Sequence, residues 1–280
     1  MAMDFLEGMA SSSRARCEAA RARCPDAEIE RIASGSRPPS PLNLSHDGFD
    51  LIAEVKRSSP SAGQLASADL SPVEQAASYA AAGAAAISVL TEPSRFDGDL
   101  AHLDAVSAEV APVPAMRKDF LVSPYQVMEA RTSGASGVLL IAAMLDESTL
   151  AAMLGMTLDL GMFALVEAFD EADIEKSAPI LDAAGPVFEA ERCRMMIGVN
   201  CRDLRTLQVD FPRFEILAKY LPPGMPWVAE SGVTTPEQAA RVAGLGYDLA
   251  LVGTALMRAD DPRVAANSLL EAGRAAAPTG

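Results

Sequence analysis

Residues 51–56 read Leu51-Ile52-Ala53-Glu54-Val55-Lys56, an apolar run that closes on two charges. Seven more runs of this kind follow: Ala85–Leu90, Val113–Lys118, Gly137–Ala142, Phe163–Glu167, Met196–Asn200, Trp227–Ser231 and Asp248–Gly253. Each is five or six residues long, and most are continuous rather than alternating. Strands buried on both faces read this way. Between the runs lie Ala-rich segments at helical spacing. Three of them start alike, with a hydroxyl N-cap, a proline at the first helical position and Glu or Gln at the third. They are Ser71-Pro72-Val73-Glu74, Ser123-Pro124-Tyr125-Gln126 and Thr235-Pro236-Glu237-Gln238, each expected to form a capping box. Gly83, Gly134 and Gly161 stand where left-handed residues would end helices.

Strand, helix, strand, repeated eight times, points to a parallel sheet wrapped by helices. One closed ring of eight units, a single (β/α)8 TIM barrel of the α/β class, is the expected fold. An open doubly wound sheet is the rival, weakened because the first loops lack a GxGxxG fingerprint. Residues 1–49 precede the first strand. They carry helical signal over Ser11–Cys24 and a Pro/Ser-rich linker over Ser34–Leu42, and are expected to form a helical extension packed on the barrel of residues 50–280.

Length and composition agree with that reading. The chain has 280 residues, 50% hydrophobic, where a closed β/α barrel needs about 250. No apolar run approaches the roughly 20 residues that span a bilayer. Asp4 and Glu7 sit where a secretory signal would be apolar, so a cytoplasmic location is expected. Cys17, Cys24, Cys193 and Cys201 form no CxxC pair and are expected to be reduced thiols. His46 and His102 sit in no metal motif, so no metal site is expected. A net charge of −15 argues against nucleic-acid binding, yet a few cations focused in a cleft suffice for a small anion.

In such barrels chemistry is built at the C-terminal ends of the strands. Glu54 and Lys56 share one face of the first run by the period of two. The third run ends in Lys118-Asp119, the fifth in Glu167, the sixth in Asn200 with Arg202 just beyond, and the seventh in Glu230-Ser231. Any one of these could be a paired structural charge. Five strands ending in a charge or amide at one rim fit a site better, because each unpaired buried charge costs several kcal/mol. Gly232 and Gly253-Thr254 follow strands seven and eight, where this fold recurrently binds phosphate. The loop Arg57–Gly63 is rich in donors. Pro60, Phe96, Phe120, Leu139 and Ile141 could line a pocket for a flat ring, or simply pack.

These segments resemble the indole-3-glycerol-phosphate synthase family. The matching stretches are IAEVKRSSPSAG (52–63), ISVLTEPSRFDGDL (87–100), RKDFLVSPYQVMEAR (117–131), LVEAF (165–169), IGVNCRDLRTLQVD (197–210), AESGV (229–233) and LVGTALM (251–257). They fall in order across nearly all of residues 50–260. The resemblance implies a carboxy-lyase of tryptophan biosynthesis. Such an enzyme closes 1-(2-carboxyphenylamino)-1-deoxyribulose 5-phosphate to indole-3-glycerol phosphate, with loss of carbon dioxide and water and no metal or organic cofactor. It further implies Lys118 as the acid on the sugar carbonyl, Lys56 as a cation and acid in dehydration, and Glu167 as the base. Glu54, Asn200, Glu230 and Ser231 would orient substrate and tune the lysines. Arg202 would clamp the anthranilate carboxylate, and Ser59, Gly232, Gly253 and Thr254 would cradle the phosphate.

A crowded, partly dry mouth is expected to lower a lysine pKa and raise a glutamate pKa, as an acid–base pair needs. One departure stands out: 33 positions separate Glu167 from Asn200, more than the family allots. The surplus over Ser177–Arg194 is expected on the side away from the chemistry. Two other readings stay open, a related barrel acting on another phosphorylated arylamine and a non-catalytic barrel that binds an anionic ligand or partner.

Overall fold

The computed structural model describes residues 2–56, 58–59, 63–64, 71–202 and 208–278. Eight parallel strands close into one ring: β1 (Asp50–Val55), β2 (Ala86–Leu90), β3 (Ala115–Lys118), β4 (Gly137–Ile141), β5 (Phe163–Ala168), β6 (Met195–Asn200), β7 (Trp227–Glu230) and β8 (Leu249–Val252). Each pairs with its sequence neighbour, and β8 pairs back onto β1 with Leu249 opposite Asp50. The open-sheet rival is thereby excluded. Every strand lies within two residues of its expected span. The largest trim is at β3, where Pro114 has no N–H for the ladder and the strand starts after it.

Alternate residues of each strand go to two separate cores. Ile52, Met116, Leu139, Leu165, Met196, Val228 and Leu249 fill the ring. Leu51, Ala53, Val55, Val138, Leu140, Val166, Ile197 and Val199 pack outward under the helices. Both faces are buried, which is why the runs read as continuous. Each large aliphatic side chain so buried stabilises the fold by about 1.5–3 kcal/mol.

The helices are α1 (Ala2–Arg23), α2 (Asp26–Gly35), α3 (Pro72–Ala81), α4 (Pro93–Phe96), α5 (Leu100–Val110), α6 (Pro124–Thr132), α7 (Glu147–Asp159), α8 (Glu171–Ala183), α9 (Arg213–Ala218), α10 (Pro236–Gly244), α11 (Thr254–Arg258) and α12 (Pro262–Ala276). Capping boxes form at Ser71 and Thr235. At Ser123 the hydroxyl accepts from Tyr125 N, but the expected reciprocal bond from Gln126 is not made. The buried Gln126 side chain accepts from Val122 N and donates to Ser13 of α1 instead. Gly83, Gly134 and Gly161 end their helices at φ of 87°, 81° and 72°.

The extension holds more helix than expected. α1 starts at Ala2 rather than near Ser11 because Phe5, Leu6 and Met9 pack on the barrel's interior cluster, and such packing overrides weak local pattern. α2 lies between the expected helix and the expected linker and takes only Ser34 and Gly35 of the latter; Ile29 and Ala33, four apart, bury against Tyr125 and Met128 of α6. The surplus after β5 makes a hairpin, Phe188–Glu189 with Arg192–Cys193, that pairs onto Leu42–Asn43 as a three-stranded antiparallel sheet. Leu42 and Cys193 join the interior cluster from below. This surplus therefore closes the base, the end opposite the charged rim.

Candidate functional site

The inward parity that fills the ring also places Glu54, Lys56, Lys118, Glu167, Asn200 and Glu230 at its C-terminal mouth. There they line a cavity of about 320 Å³. All are buried or nearly so, which makes their pairing decisive. On the β1–β3 side, Lys56 Nζ donates to Glu54 Oε1 at 2.5 Å, and Lys118 Nζ lies 3.5 Å from Glu54 Oε2. On the β5–β7 side, Asn200 Nδ2 donates to Glu167 Oε2 at 3.1 Å. The Asn200 amide oxygen accepts from Arg202 N at 3.0 Å, fixing the turn that carries Arg202 into the cavity lining.

Glu230 is the exception. Both of its carboxyl oxygens are buried without a hydrogen-bond partner among the described residues. Burial pushes its carboxyl well above the usual range and the charge of Glu167 adds to the rise, while Lys118 pulls the other way. Glu54 has the opposite balance. Burial raises it, but Lys56 and Lys118 override that and hold it at about 2.

Lys118 corrects the sequence reading. Burial does lower it, yet Glu54, Glu167 and Glu230 outweigh burial and raise it to about 12. The charged form is favoured by its neighbours. The raised glutamate is Glu230, which the resemblance gives as an orienting partner and not as the base.

Two glycines owe their place to crowding here. A Cβ on Gly198 would sit 2.2 Å from Glu230 Oε1, so β6 must be bare for β7 to bring Glu230 in. A Cβ on Gly253 would sit 2.5 Å from Glu54 Oε1 and 3.0 Å from Lys56 Nζ. Gly253 thus makes room for the ion pair, a role distinct from the ligand approach read from sequence. Ser231 and Gly232 both take left-handed backbone, at φ of 64° and 76°, and turn the chain out of β7. Ser231 O accepts from Cys201 Sγ at 3.4 Å, which ties this turn to β6.

Phe96, Phe120, Leu139 and Ile141 form the apolar side of the cavity, with Ser231, Gly232, Gly253 and Thr254 on the side of strands 7 and 8. Pro60 lies outside the described residues, as does the side chain of Ser59. Reading the sequence missed Phe5, Leu90, Phe169, Thr234, Leu251 and Arg258, which also line the cavity. Leu90, Phe169 and Leu251 continue the inward parity of their strands and were findable by it. Phe5 comes from α1, far upstream, and packs edge-on against Phe120 with ring centroids 6.0 Å apart. Asp119, adjacent to Lys118, turns its carboxylate to Arg16, Arg117 and Thr91.

A closed parallel ring with lysines, carboxylates and glycine turns gathered at its C-terminal mouth is the architecture of a (β/α)8 barrel enzyme. A solved structure of 3-hexulose-6-phosphate synthase from Salmonella typhimurium shares the fold, with a TM-score of 0.62 at 15% identity over 81% of this chain and all 100% of that one. The family model described as indole-3-glycerol phosphate synthase matches residues 6–269, and the chain belongs to that family. The indole-3-glycerol phosphate synthase of Saccharopolyspora erythraea is 44% identical over 97% of this chain and 96% of its own. That of Mycobacterium leprae is 44% identical over 96% and 94%.

Proposed function

We propose that the mouth converts 1-(2-carboxyphenylamino)-1-deoxyribulose 5-phosphate to indole-3-glycerol phosphate, carbon dioxide and water. The observation that carries this reading is Lys118, an ammonium facing three glutamates in a cavity with an aromatic wall on one side and the glycine turns after strands 7 and 8 on the other.

In the first step the ring carbon bearing the carboxylate attacks the ketone carbon, and the ketone oxygen gains the electron pair. Lys118 donates a proton to that oxygen. A pKa of about 12 keeps the lysine charged, and an alkoxide, whose conjugate acid lies near water's roughly 15.7, still takes the proton downhill. Charge stabilisation at the moment of attack offsets the transient loss of aromaticity. Carbon dioxide leaves next, and its bonding electrons restore the aromatic ring. The new hydroxyl then departs as water with a proton from Lys56, while Glu167 takes the proton lost from the new five-membered ring. Asn200 holds the Glu167 carboxylate for that task through the 3.1 Å bond.

Phe96, Phe120, Leu139 and Ile141 pack the aryl ring in this reading. The planar fork of Arg202 meets the anthranilate carboxylate. Ser59, Gly232, Gly253 and Thr254 hold the phosphate, and Pro60 borders the ring. Residues 1–49 and 50–280 work as one unit. A cytoplasmic setting and a small anionic phosphorylated substrate, with no nucleic acid or membrane partner, accompany the reading. No helix among the described residues is long and apolar enough to cross a membrane.

The test is indole fluorescence on adding the carboxyphenylamino-deoxyribulose phosphate. Turnover supports the proposal. Tight binding without turnover would favour a non-catalytic barrel, and no binding would sink the substrate assignment.

A further inference from the structure

α1 reaches the mouth at two points. Phe5 packs on Phe120, as above. Eleven positions on, Arg16 spans to the end of β3 and grips Asp119 with both arms of its fork, Nη1 to Oδ2 and Nη2 to Oδ1, each at 2.8 Å. The Asp119 side chain is fully buried, and that of Arg16 is 26% exposed. Arg16 Nε is buried without a partner among the described residues, so the hydrogen bonding of this guanidinium is directed at Asp119. From inside the barrel wall, Arg117 Nη2 adds a third bond to Asp119 at 3.1 Å and Thr91 Oγ1 a fourth at 2.9 Å. Burial raises the Asp119 carboxyl, but Arg16 and Arg117 override it and hold it at about 2. It is an anion at any working pH.

The position of this anchored anion matters. Lys118, Asp119 and Phe120 all border the cavity, while the Asp119 carboxylate is turned to Arg16, Arg117 and Thr91. Asp119 Oδ1 also accepts from Phe120 N at 2.8 Å, which fixes the peptide leading into the aromatic wall. The acid and the wall therefore hang on one turn, and that turn is gripped from outside by α1. Elsewhere α1 is held by softer contacts, such as Arg21 lying 5.0 Å over the Tyr125 ring.

We propose that Arg16 is a positioning residue for the reaction: its two-armed bond to Asp119 sets Lys118 and Phe120 in their working places. The inference rests on the reading of Lys118 as the acid. A misplacement of about 1 Å at a reacting group costs on the order of 100-fold in rate. Loosening one of several bonds on Asp119 is a smaller disturbance.

The experiment compares Arg16→Lys, Arg16→Gln and Arg21→Ala with the parent, in steady-state indole formation and thermal melting. Rates are taken at least ten degrees below each melting point, so only folded protein is compared. Parent turnover comes first, since its absence would overturn the proposed function and not the clamp.

With an active parent, kcat should fall about tenfold or more in Arg16→Gln and about threefold in Arg16→Lys, which keeps the charge and loses the fork. KM should rise less than kcat falls. Arg21→Ala should lose melting temperature and keep parental kcat. Adding guanidinium ion at millimolar concentration to Arg16→Gln should recover part of kcat, and the same ammonium concentration should not. Parental kcat in Arg16→Lys overturns the clamp even if Arg16→Gln fails to fold. A kcat loss in Arg21→Ala as large as in the Arg16 variants overturns it too, because α1 would then matter only as packing.

Discussion

The two ends of the same eight strands follow opposite rules. At the mouth, three glutamates, two lysines and an asparagine are packed inside the ring, and one glutamate has no hydrogen-bond partner among the described residues. At the base, Leu42 and Cys193 plug the ring, and polar groups are matched on the outside. Asp50 takes Arg274 and Ser45 N, and Asp248 takes Trp227 N. The base is arranged for stability. The mouth holds charge that folding alone would not choose, and that difference is what supports placing the proposed chemistry there.

The sharpest way to break this comparison is Lys118→Ala. Indole formation should fall by about a thousandfold or more, the upper range for a lost general acid, while circular dichroism stays parental. A fall under tenfold would mean that the mouth's charge is structural after all.

Next in size is Glu54→Gln, which leaves two buried lysines short of their shared carboxylate. Breaking a buried pair from one side costs about 3–5 kcal/mol, read as a loss in the urea midpoint at pH 7. Glu54 is held at about 2, below its ordinary 4.5. Its contribution is therefore present above pH 4.5 and lost as pH falls toward 2. The gap between parent and variant should close over that window.

Glu230→Gln should behave in reverse. A carboxyl raised in the folded state contributes fully below its unfolded pKa, and that contribution is lost as pH rises. The variant's melting temperature, close to the parent's at pH 4.5, should pull ahead of it toward pH 8. A variant that trails the parent throughout would show that Glu230 is satisfied as an anion.

The smallest effect belongs to the base. Ala190 and Glu191 turn the hairpin at φ of 47° and 67°, where a Cβ is strained. Glu191→Gly should gain up to about 1 kcal/mol by relieving left-handed backbone, with indole formation unchanged. A change in kcat here would deny that the two ends are separate.

The barrel was readable because its signal is local and repeated: eight short apolar runs, each followed by polar residues. Much of the mouth was readable for the same reason, since a period of two tells which strand residues share the interior. What escaped depends on contacts distant in sequence. Nothing near Phe5 says that it meets Phe120, and nothing near Gln126 says that Ser13 will draw it from its capping box. The rise in Lys118 was misjudged because burial was visible in the sequence, but the convergence of carboxylates from β1, β5 and β7 on one ammonium was not. α2 escaped because its two buried residues, Ile29 and Ala33, gain their apolar partners from α6.

The pairing of β8 with β1 has a consequence for the nascent chain. Leu249 lies opposite Asp50, so β1 emerges from the ribosome long before its second neighbour exists. At about 5–20 residues per second, the wait is roughly 10–40 s. During that time one edge of a hydrophobic strand offers unpaired N–H and C=O groups, the kind of edge that seeds aggregation. Arg274, which binds Asp50 and Phe49 O across the junction, is made later still. Closure of the ring thus waits until β8 has been made.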